Sequence, residues 1–387
     1  MNVHTVELGQ PLGPNMIRRF CRLQRWFRFP QRDKMNRSCR SITDFVRAAG
    51  DTASASPDQL TSCMYPADGI QKVTLVRNPS QLGYFYLVVV VNLEALYRQA
   101  TTVESFSSFT SERLQRCSQE FERIMAEYSG IRLRALVEWS VRRVDYAIDL
   151  RYPNLVPLYV SLMKQGRIPR GMEMRRSYEG SYYLESPNED VTINFYDKAA
   201  QLRHERTLCN NDRLLLEAEG LLRLEVQCQG RKLNHLCDLV RRRSLPYYGR
   251  TIRTFLHEEL ANTVVQDYFY RALGYQDYYT FQAAMTKLER QRGRKDMKQR
   301  IVHFLQQVRM TGSVSAAIAA YRKGIMPDGI TAIISGPESS LQNILHEYLP
   351  RYGLNPVLLP EEWNGGMLQN PMPENLQIYR PTALRAS

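Results

Sequence analysis

The chain has 387 residues, 43% of them hydrophobic and 24% charged, with 52 Lys+Arg against 39 Asp+Glu. That length suits two or three compact units, and the ordinary hydrophobic content excludes wholesale disorder. No run of 18 or more apolar residues occurs, and the most apolar stretch, Tyr86 to Leu93, has strand length, so no membrane span is expected.

The formal net charge of +13 favours a polyanionic partner. Between Arg18 and Arg40 lie nine basic residues and one acidic one, Asp33, so that this segment alone carries +8. A second cluster holds Lys287, Arg290, Arg292, Arg294, Lys295, Lys298 and Arg300 against only Glu289 and Asp296. Seven cysteines are scattered, odd in number and without a CxxC pair. They make neither a disulfide framework nor a zinc site, and free thiols suit a reducing cytoplasm. The first 16 residues lack the apolar core of a secretory signal.

In chain order, residues 1–65 read as a basic, weakly structured leader ending in the small polar linker "AAGDTASASPDQLTS". "IQKVTLVRN" and "YFYLVVVVNL" read as strands, and 108–127 as an amphipathic helix with Phe109, Leu114, Phe121 and Ile124 at helical spacing. "ALVEWSVRRVDYAIDL" is a long strand; "PNLVPLYVSLMKQG" is a helix opened by Pro153 and closed by Gly166. "GSYYLES" and "VTINFYDK" read as strands around the turn "PNED", followed by a short helix and the strand "LLRLEVQC". Beyond Gly230 the pattern is helical nearly throughout, at about 231–241, 248–260, 264–273, 278–291, 296–310, 313–323 and 337–349. The expected fold class is therefore α+β over about 68–230 and all-α over 231–360, with 361–387 as an extended tail.

Residues two apart on a strand share a face. In "RVDYAIDL" the apolar face is Val144, Tyr146, Ile148 and Leu150, leaving Arg143, Asp145, Ala147 and Asp149 opposite. In "LLRLEVQC" the polar side is Arg223, Glu225 and Gln227; in "VTINFYDK" it is Thr192, Asn194, Tyr196 and Lys198. If these strands share a sheet, its polar face gathers carboxylates suited to Mg²⁺ or Mn²⁺ beside a tyrosine able to act as a nucleophile. Lys198 would offset the phenolate charge, and the chemistry permitted is attack of Tyr196 on a phosphodiester. A plain reading stays open: a solvated sheet face whose aspartates pair with Arg143 and Arg223 on the surface. Tyr178, Tyr182 and Tyr183 also compete with Tyr196.

At these residues the chain resembles the initiators of rolling-circle replication of phages and plasmids, most of all the trans-acting Rep group. "RRVDYAIDL" resembles that group's Arg-x-Asp-x-x-x-Asp strand, "INFYDKAAQL" its Tyr-x-Lys strand, and "LRLEVQC" its Arg-x-Glu strand. "HEYLPRYGLNPVLLP" resembles the end of the helical region in phage-type initiators. The resemblance implies a DNA nicking-joining enzyme on an RRM-like, relaxase-related antiparallel sheet spanning 66–230, followed by a helical DNA-binding domain at 231–360. It implies Tyr196 as nucleophile, Lys198 as electrostatic helper, and Asp145, Asp149 and Glu225 as ligands of Mg²⁺ or Mn²⁺. The six histidines include no His-hydrophobic-His pair, so the histidine metal site of the wider superfamily is not expected.

The expected partner is DNA, both single- and double-stranded, at a replication origin in a bacterial cytoplasm. Host helicase, host polymerase and a second copy of the chain in a homodimer are candidate partners; a membrane is not. Arg143, Arg223 and the cluster Arg290, Arg292, Arg294, Lys295, Lys298 and Arg300 are candidate phosphate contacts. A helix-turn-helix or winged-helix unit turning at Gly312 would bring Ser339, Ser340 and Asn343 to DNA. The alternatives are a non-enzymatic DNA-binding regulator and an RNA-binding protein.

Overall fold

The structure is a computed structural model. It describes residues 2–13, 15–17, 59–62, 69–77, 85–107, 109–129, 131–178, 180–204, 212–274, 276–322, 341 and 344–370. The arginine-rich segment Arg18–Arg40 and the expected contacts Ser339, Ser340 and Asn343 lie outside the described residues.

The first elements are β1 (Asn2–Leu12), β2 (Gln59–Ser62), β3 (Ile70–Arg77), β4 (Phe85–Val91), α1 (Leu93–Arg98), α2 (Ser111–Ser129) and β5 (Ser140–Arg151). Then come α3 (Val156–Gln165), β6 (Glu173–Tyr178), β7 (Ser181–Glu185), β8 (Val191–Asp197), α4 (Lys198–His204), α5 (Asp212–Ala218) and β9 (Leu221–Gln229). The rest is α6 (Gly230–Arg242), α7 (Ile252–Phe255), α8 (Glu258–Leu273), β10 (Tyr278–Thr280), α9 (Phe281–Arg290), α10 (Lys295–Thr311) and α11 (Val314–Arg322), then a π-helical turn at Ile344–Tyr348, α12 (Leu349–Arg351), β11 (Leu358–Leu359) and β12 (Met367–Leu368). The protein is thus α+β, with a large antiparallel sheet and many helices.

Contacts divide the chain into two compact units: unit 1 is Met1–Asp149, Asn188–Val191 and Glu225–Asn262, and unit 2 is Leu150–Pro187, Thr192–Leu224 and Thr263–Ser387. The division does not follow the boundary expected at residue 230, because β5, β8 and β9 each pass from one unit into the other.

Unit 1 carries the strand order β2-β3-β4-β1-β5, continued by the Glu225–Gln229 half of β9. Its centre is β1, antiparallel to β4 on one side (Val6 opposite Val91, Leu12 opposite Phe85) and to β5 on the other (Thr5 opposite Asp145, Glu7 opposite Arg143). This corrects the expectation of a weakly structured leader over 1–65, at least for its first residues. Val3, Leu8 and Leu12 are 0% exposed, so the segment belongs to the core. Pro11 lies within the strand, opposite Tyr86 of β4 and beyond the start of β5 at Ser140, which is opposite Gly9.

The helix over 111–129 falls close to where its spacing placed it. Its face of Cys117, Phe121, Ile124 and Met125 is buried, and Phe121 meets the fully buried Trp139 edge-on at 5.3 Å. Trp139 sits on a short 3₁₀ turn, and its indole N–H donates to the Arg134 carbonyl at 3.0 Å. The long strand therefore begins only at Ser140.

Unit 2 holds the first half of β9 and the order β9-β8-β7-β6. Its C-terminal part is not all-α as expected: β10, β11 and β12 form a small sheet in the order β11-β10-β12, with Tyr279 opposite Leu358 and Met367. Met367–Leu368 is therefore paired rather than an extended tail. Gly312, at φ 66°, ends α10 before α11 as the expected turn. Among the described residues no helix is long and apolar enough to cross a membrane.

If β1 is core, replacing Leu8 by Ala removes a fully buried side chain and leaves a cavity. We expect a loss of about 2–5 kcal/mol in urea unfolding followed by far-UV circular dichroism. A change near zero would return the segment to the status of a leader.

Candidate active site

In unit 1 the register between β1 and β5 slips between Val3 and Thr5, leaving His4 as an extra residue in β1. A bulge of this kind bends the strand and re-aims its side chains. Thr5 Oγ1 donates to Asp145 Oδ2, while His4 Nδ1 lies 2.9 Å from Glu225 Oε2. A second slip lies between the pairs Glu7/Arg143 and Leu8/Val141, with Arg142 the extra residue of β5. Both arginines approach Glu7, Arg142 at 3.4 Å and Arg143 at 3.9 Å.

Arg143 closes on Asp145 with two parallel bonds, Nε to Oδ1 at 2.9 Å and Nη2 to Oδ2 at 3.1 Å. Glu225 accepts from Gln227 Nε2 at 2.8 Å, in addition to its contact with His4. Asp145 is 1% exposed and Glu225 4%. For Asp145 the reading as a partner in a solvated surface ion pair is thereby excluded, though it does pair with Arg143; this is a buried polar cluster.

Burial pushes the Asp145 carboxyl up from the ordinary range; Arg143 opposes this and the nearby Glu225 adds to it, leaving Asp145 at about 7. For Arg143, burial works against the charged form, but Asp145 and then Glu7 outweigh it, and the guanidinium holds its proton more tightly than usual.

Asp149 stands apart. It accepts from Ser105 Oγ at 3.3 Å, and four residues at about 3.4 Å each put it about 13 Å along the strand from Asp145. Ligand bonds to Mg²⁺ are about 2.1 Å, so the two aspartates cannot share one ion from these positions. Among the described residues no group of three or more His, Cys, Asp and Glu side chains is arranged to hold a metal ion. The expected triad of Asp145, Asp149 and Glu225 therefore does not form one centre.

In unit 2, Tyr196 lies on β8 and is 3% exposed. Lys198 is the first residue of α4 rather than a strand residue, and its Nζ lies 5.7 Å from the Tyr196 ring centroid while donating to Gln201 Oε1 at 2.8 Å. Asp197 Oδ1 caps α4, accepting from the backbone N–H of Ala199 at 2.9 Å and of Ala200 at 3.1 Å. Arg223 is 0% exposed, not on an open DNA-facing surface.

Strand pairing sorts the competing tyrosines. Ser181 is opposite Tyr196 and Tyr178 opposite Ser181, so Tyr178 and Tyr196 share a face; Tyr183, opposite Asn194, shares it too. Tyr182 is opposite Phe195 on the other face, stacked on it at 6.5 Å, with its phenol pushed up by burial. Tyr182 thus lies on the face opposite Tyr196, and Tyr178, at 55% exposure, is the most accessible of the three that share a face.

The second basic cluster is partly consumed by the fold. Lys298 Nζ donates to the carbonyls of Gln291 at 2.6 Å and Glu289 at 3.3 Å, at the end of α9. Arg294 is paired with Asp296 at 2.8 Å. Arg290, Arg292 and Lys295 are exposed and Arg300 is half-buried.

His4, Thr5 and Glu7 are the cluster residues that sequence reasoning missed, while Gln227 stood on the polar face with Glu225 but was given no role. The signal was "VHTVELGQPL", a polar–apolar alternation obscured by its closeness to the basic leader.

No protein-family model matches the chain, and no curated protein matches it. Among solved structures, the chain is similar to that of a rolling circle replication initiator protein from Geobacillus stearothermophilus, at 12% identity over 63% of this chain and 79% of that one, with a TM-score of 0.23. A superposition that loose establishes no shared fold.

The Asp145 carboxyl should titrate by ¹³C NMR with a midpoint near 7, and Glu225→Gln should lower that midpoint by removing a like charge. Because the folded value exceeds the unfolded one, this group's stabilising contribution is full below the ordinary carboxylate range and is lost as pH rises through 7. A midpoint near 4 in the folded protein would contradict the burial argument.

Proposed function

We propose that the protein initiates rolling-circle-type replication of a phage, plasmid or integrated element by nicking and rejoining one DNA strand. The observation that carries the reading is the buried cluster of Arg143, Asp145, Glu225 and His4, assembled from three strands far apart in sequence. Burying ionised groups costs several kcal/mol per ion, and perturbed carboxyls of this kind concentrate at functional sites. The strand motifs of the resemblance pass through the same residues.

In this reading the Tyr196 oxygen attacks a backbone phosphorus, the bond to the 3′ oxygen breaks, and that oxygen takes up a proton to leave a 3′-OH. The 5′-phosphate stays on the tyrosine. Lys198, whose Nζ lies 5.7 Å from the Tyr196 ring centroid, is the cation this reading assigns to the attacking tyrosine. A divalent ion, when bound, would supply charge neutralisation at the phosphate; the requirement for Mg²⁺ or Mn²⁺ rests on the resemblance, and no step is built on it.

A second reading is a DNA-binding regulator without catalysis. The 3% exposure of Tyr196 and the engagement of Asp145 and Glu225 by their neighbours favour it.

Incubation with supercoiled DNA carrying the gene's own neighbourhood and Mg²⁺ or Mn²⁺ separates the two. The enzyme reading expects nicked circles and a covalent protein–DNA band, both lost in Tyr196→Phe, and cleavage reduced by at least about a hundredfold in Glu225→Gln with duplex binding retained. Loss of the band in Tyr178→Phe or Tyr183→Phe instead would move the nucleophile along the same face. Absence of nicking by wild type under both metals would leave the regulator.

A further inference from the structure

Residues 241–253, "RRRSLPYYGRTIR", hold five arginines, two adjacent tyrosines and no acidic residue. The fold keeps this segment at the surface of unit 1: Tyr247 is 37% exposed and Tyr248 51%, and Arg241, Arg242 and Arg253 are exposed. Two large aromatic rings side by side in water, each beside a guanidinium, are unusual for a surface that does no binding. Arg241 lies 4.2 Å from the Tyr247 ring centroid and donates to its hydroxyl at 2.7 Å; Arg253 lies 5.8 Å from the Tyr248 centroid.

The segment is held in place. The Tyr248 N–H donates to Thr254 Oγ1 at 2.8 Å, and Thr251 Oγ1 donates to the Tyr248 carbonyl at 2.9 Å. The Val141 N–H donates to the Arg250 carbonyl at 2.8 Å, and Arg250 Nε donates back to the Val141 carbonyl at 3.0 Å. Tyr248 and Arg253 also border a cleft of about 530 Å³ whose other walls include Phe109, Gln115, Ser118 and His257. Clefts of about 300–1,000 Å³ are the usual size for small-molecule groups. This one joins apolar surface to an amide, a hydroxyl and an imidazole, the groups that read the edge of a base.

We infer that Tyr248, Arg253 and this cleft bind an unpaired nucleotide of single-stranded DNA, with the base against Tyr248 and the backbone phosphates along Arg241, Arg242 and Arg253. Stacking on an exposed aromatic beside a cationic track is how single strands are held without strict sequence preference. A duplex offers no unstacked base to such a site. Val141, to which the segment is pinned, lies four residues before Asp145, about 13 Å along β5. The choice of DNA over RNA rests on the function proposed above.

The test is fluorescence anisotropy of labelled oligo(dT) against wild type and variants over a salt series. Wild type should bind with salt-dependent affinity; Tyr248→Ala should weaken binding about tenfold, and Tyr248→Phe, which keeps the ring, should bind like wild type. Arg253→Gln should weaken binding and flatten the salt slope by about 0.7. The inference fails if wild type does not bind oligo(dT) at low salt, or if Tyr248→Ala binds as tightly as wild type. Tighter, Tyr248-dependent binding of oligo(rU) would overturn the assignment to DNA. If wild type binds oligo(dT) in a Tyr248-dependent way but nicks no DNA with either metal, the enzyme reading fails and this site stands; if it nicks DNA while Tyr248→Ala binds as tightly as wild type, this site fails and the enzyme reading stands.

Discussion

The bulge at His4, where β1 lies between β4 and β5, is the constraint on which the polar cluster depends. In a regular strand His4 and Thr5 would point to opposite faces. The extra residue lets both serve one cluster, Thr5 on Asp145 and His4 on Glu225, while Glu7 further along the same strand approaches Arg142 and Arg143. Removing β1 would strip a partner from Asp145, Glu225 and Arg143 together. The strand also fills the gap between β4 and β5, so the same backbone path builds the core and fixes the charges.

These charges answer one another at close range, with Arg142 also on Glu7 and His4 on Glu225. Arg143 faces Asp145 and Glu7 directly and Glu225 at longer range, in a region where burial already disfavours ionisation. The system answers by holding the Arg143 proton more tightly and the Asp145 proton up to near neutrality. A purely structural sheet would be at least as stable with apolar residues there.

Much of the strand pattern was legible because it is local. The strands in "RVDYAIDL", "VTINFYDK" and "LLRLEVQC" were found, but the open polar face expected of them was not there, since Asp145, Asn194, Tyr196, Arg223 and Glu225 are buried too; the helical spacing of Phe121 and Ile124 reports a face that is buried, with Phe121 on Trp139. The identity of β1 was not legible, since its partners are Phe85–Val91 and Ser140–Ala147 and no local signal announces a pairing across more than 70 residues. Pro11 and the arginines that follow argued against a strand there. The spacing of Asp145 and Asp149 could have been weighed from sequence: a strand rise separates two residues four apart too widely for one small cation. The tyrosines could not be sorted from composition, because their faces depend on the register of Ser181 against Tyr196. The small sheet β10–β12 was hidden by the shortness of its strands, two or three residues each.

Net charge is a poor guide to where a polyanion is held, and this chain shows why. In the cluster around Lys287–Arg300, Lys298 satisfies carbonyls at a helix end, Lys287 reaches Tyr279 Oη and the Gly353 carbonyl, and Arg294 is paired with Asp296. Those groups must give up existing bonds before they can meet a phosphate, so each contributes less than a solvated cation would. At 241–253 some cations are engaged as well, Arg241 with Asp238, Arg243 with Glu259 and Arg242 with the Asp238 carbonyl; what differs is that two rings stand beside the guanidinium groups and the backbone is tied on both sides of Tyr248. A site of that kind loses little conformational entropy on binding. The single-strand site inferred above thus rests on a preorganised pairing of cation and ring rather than on the summed +13.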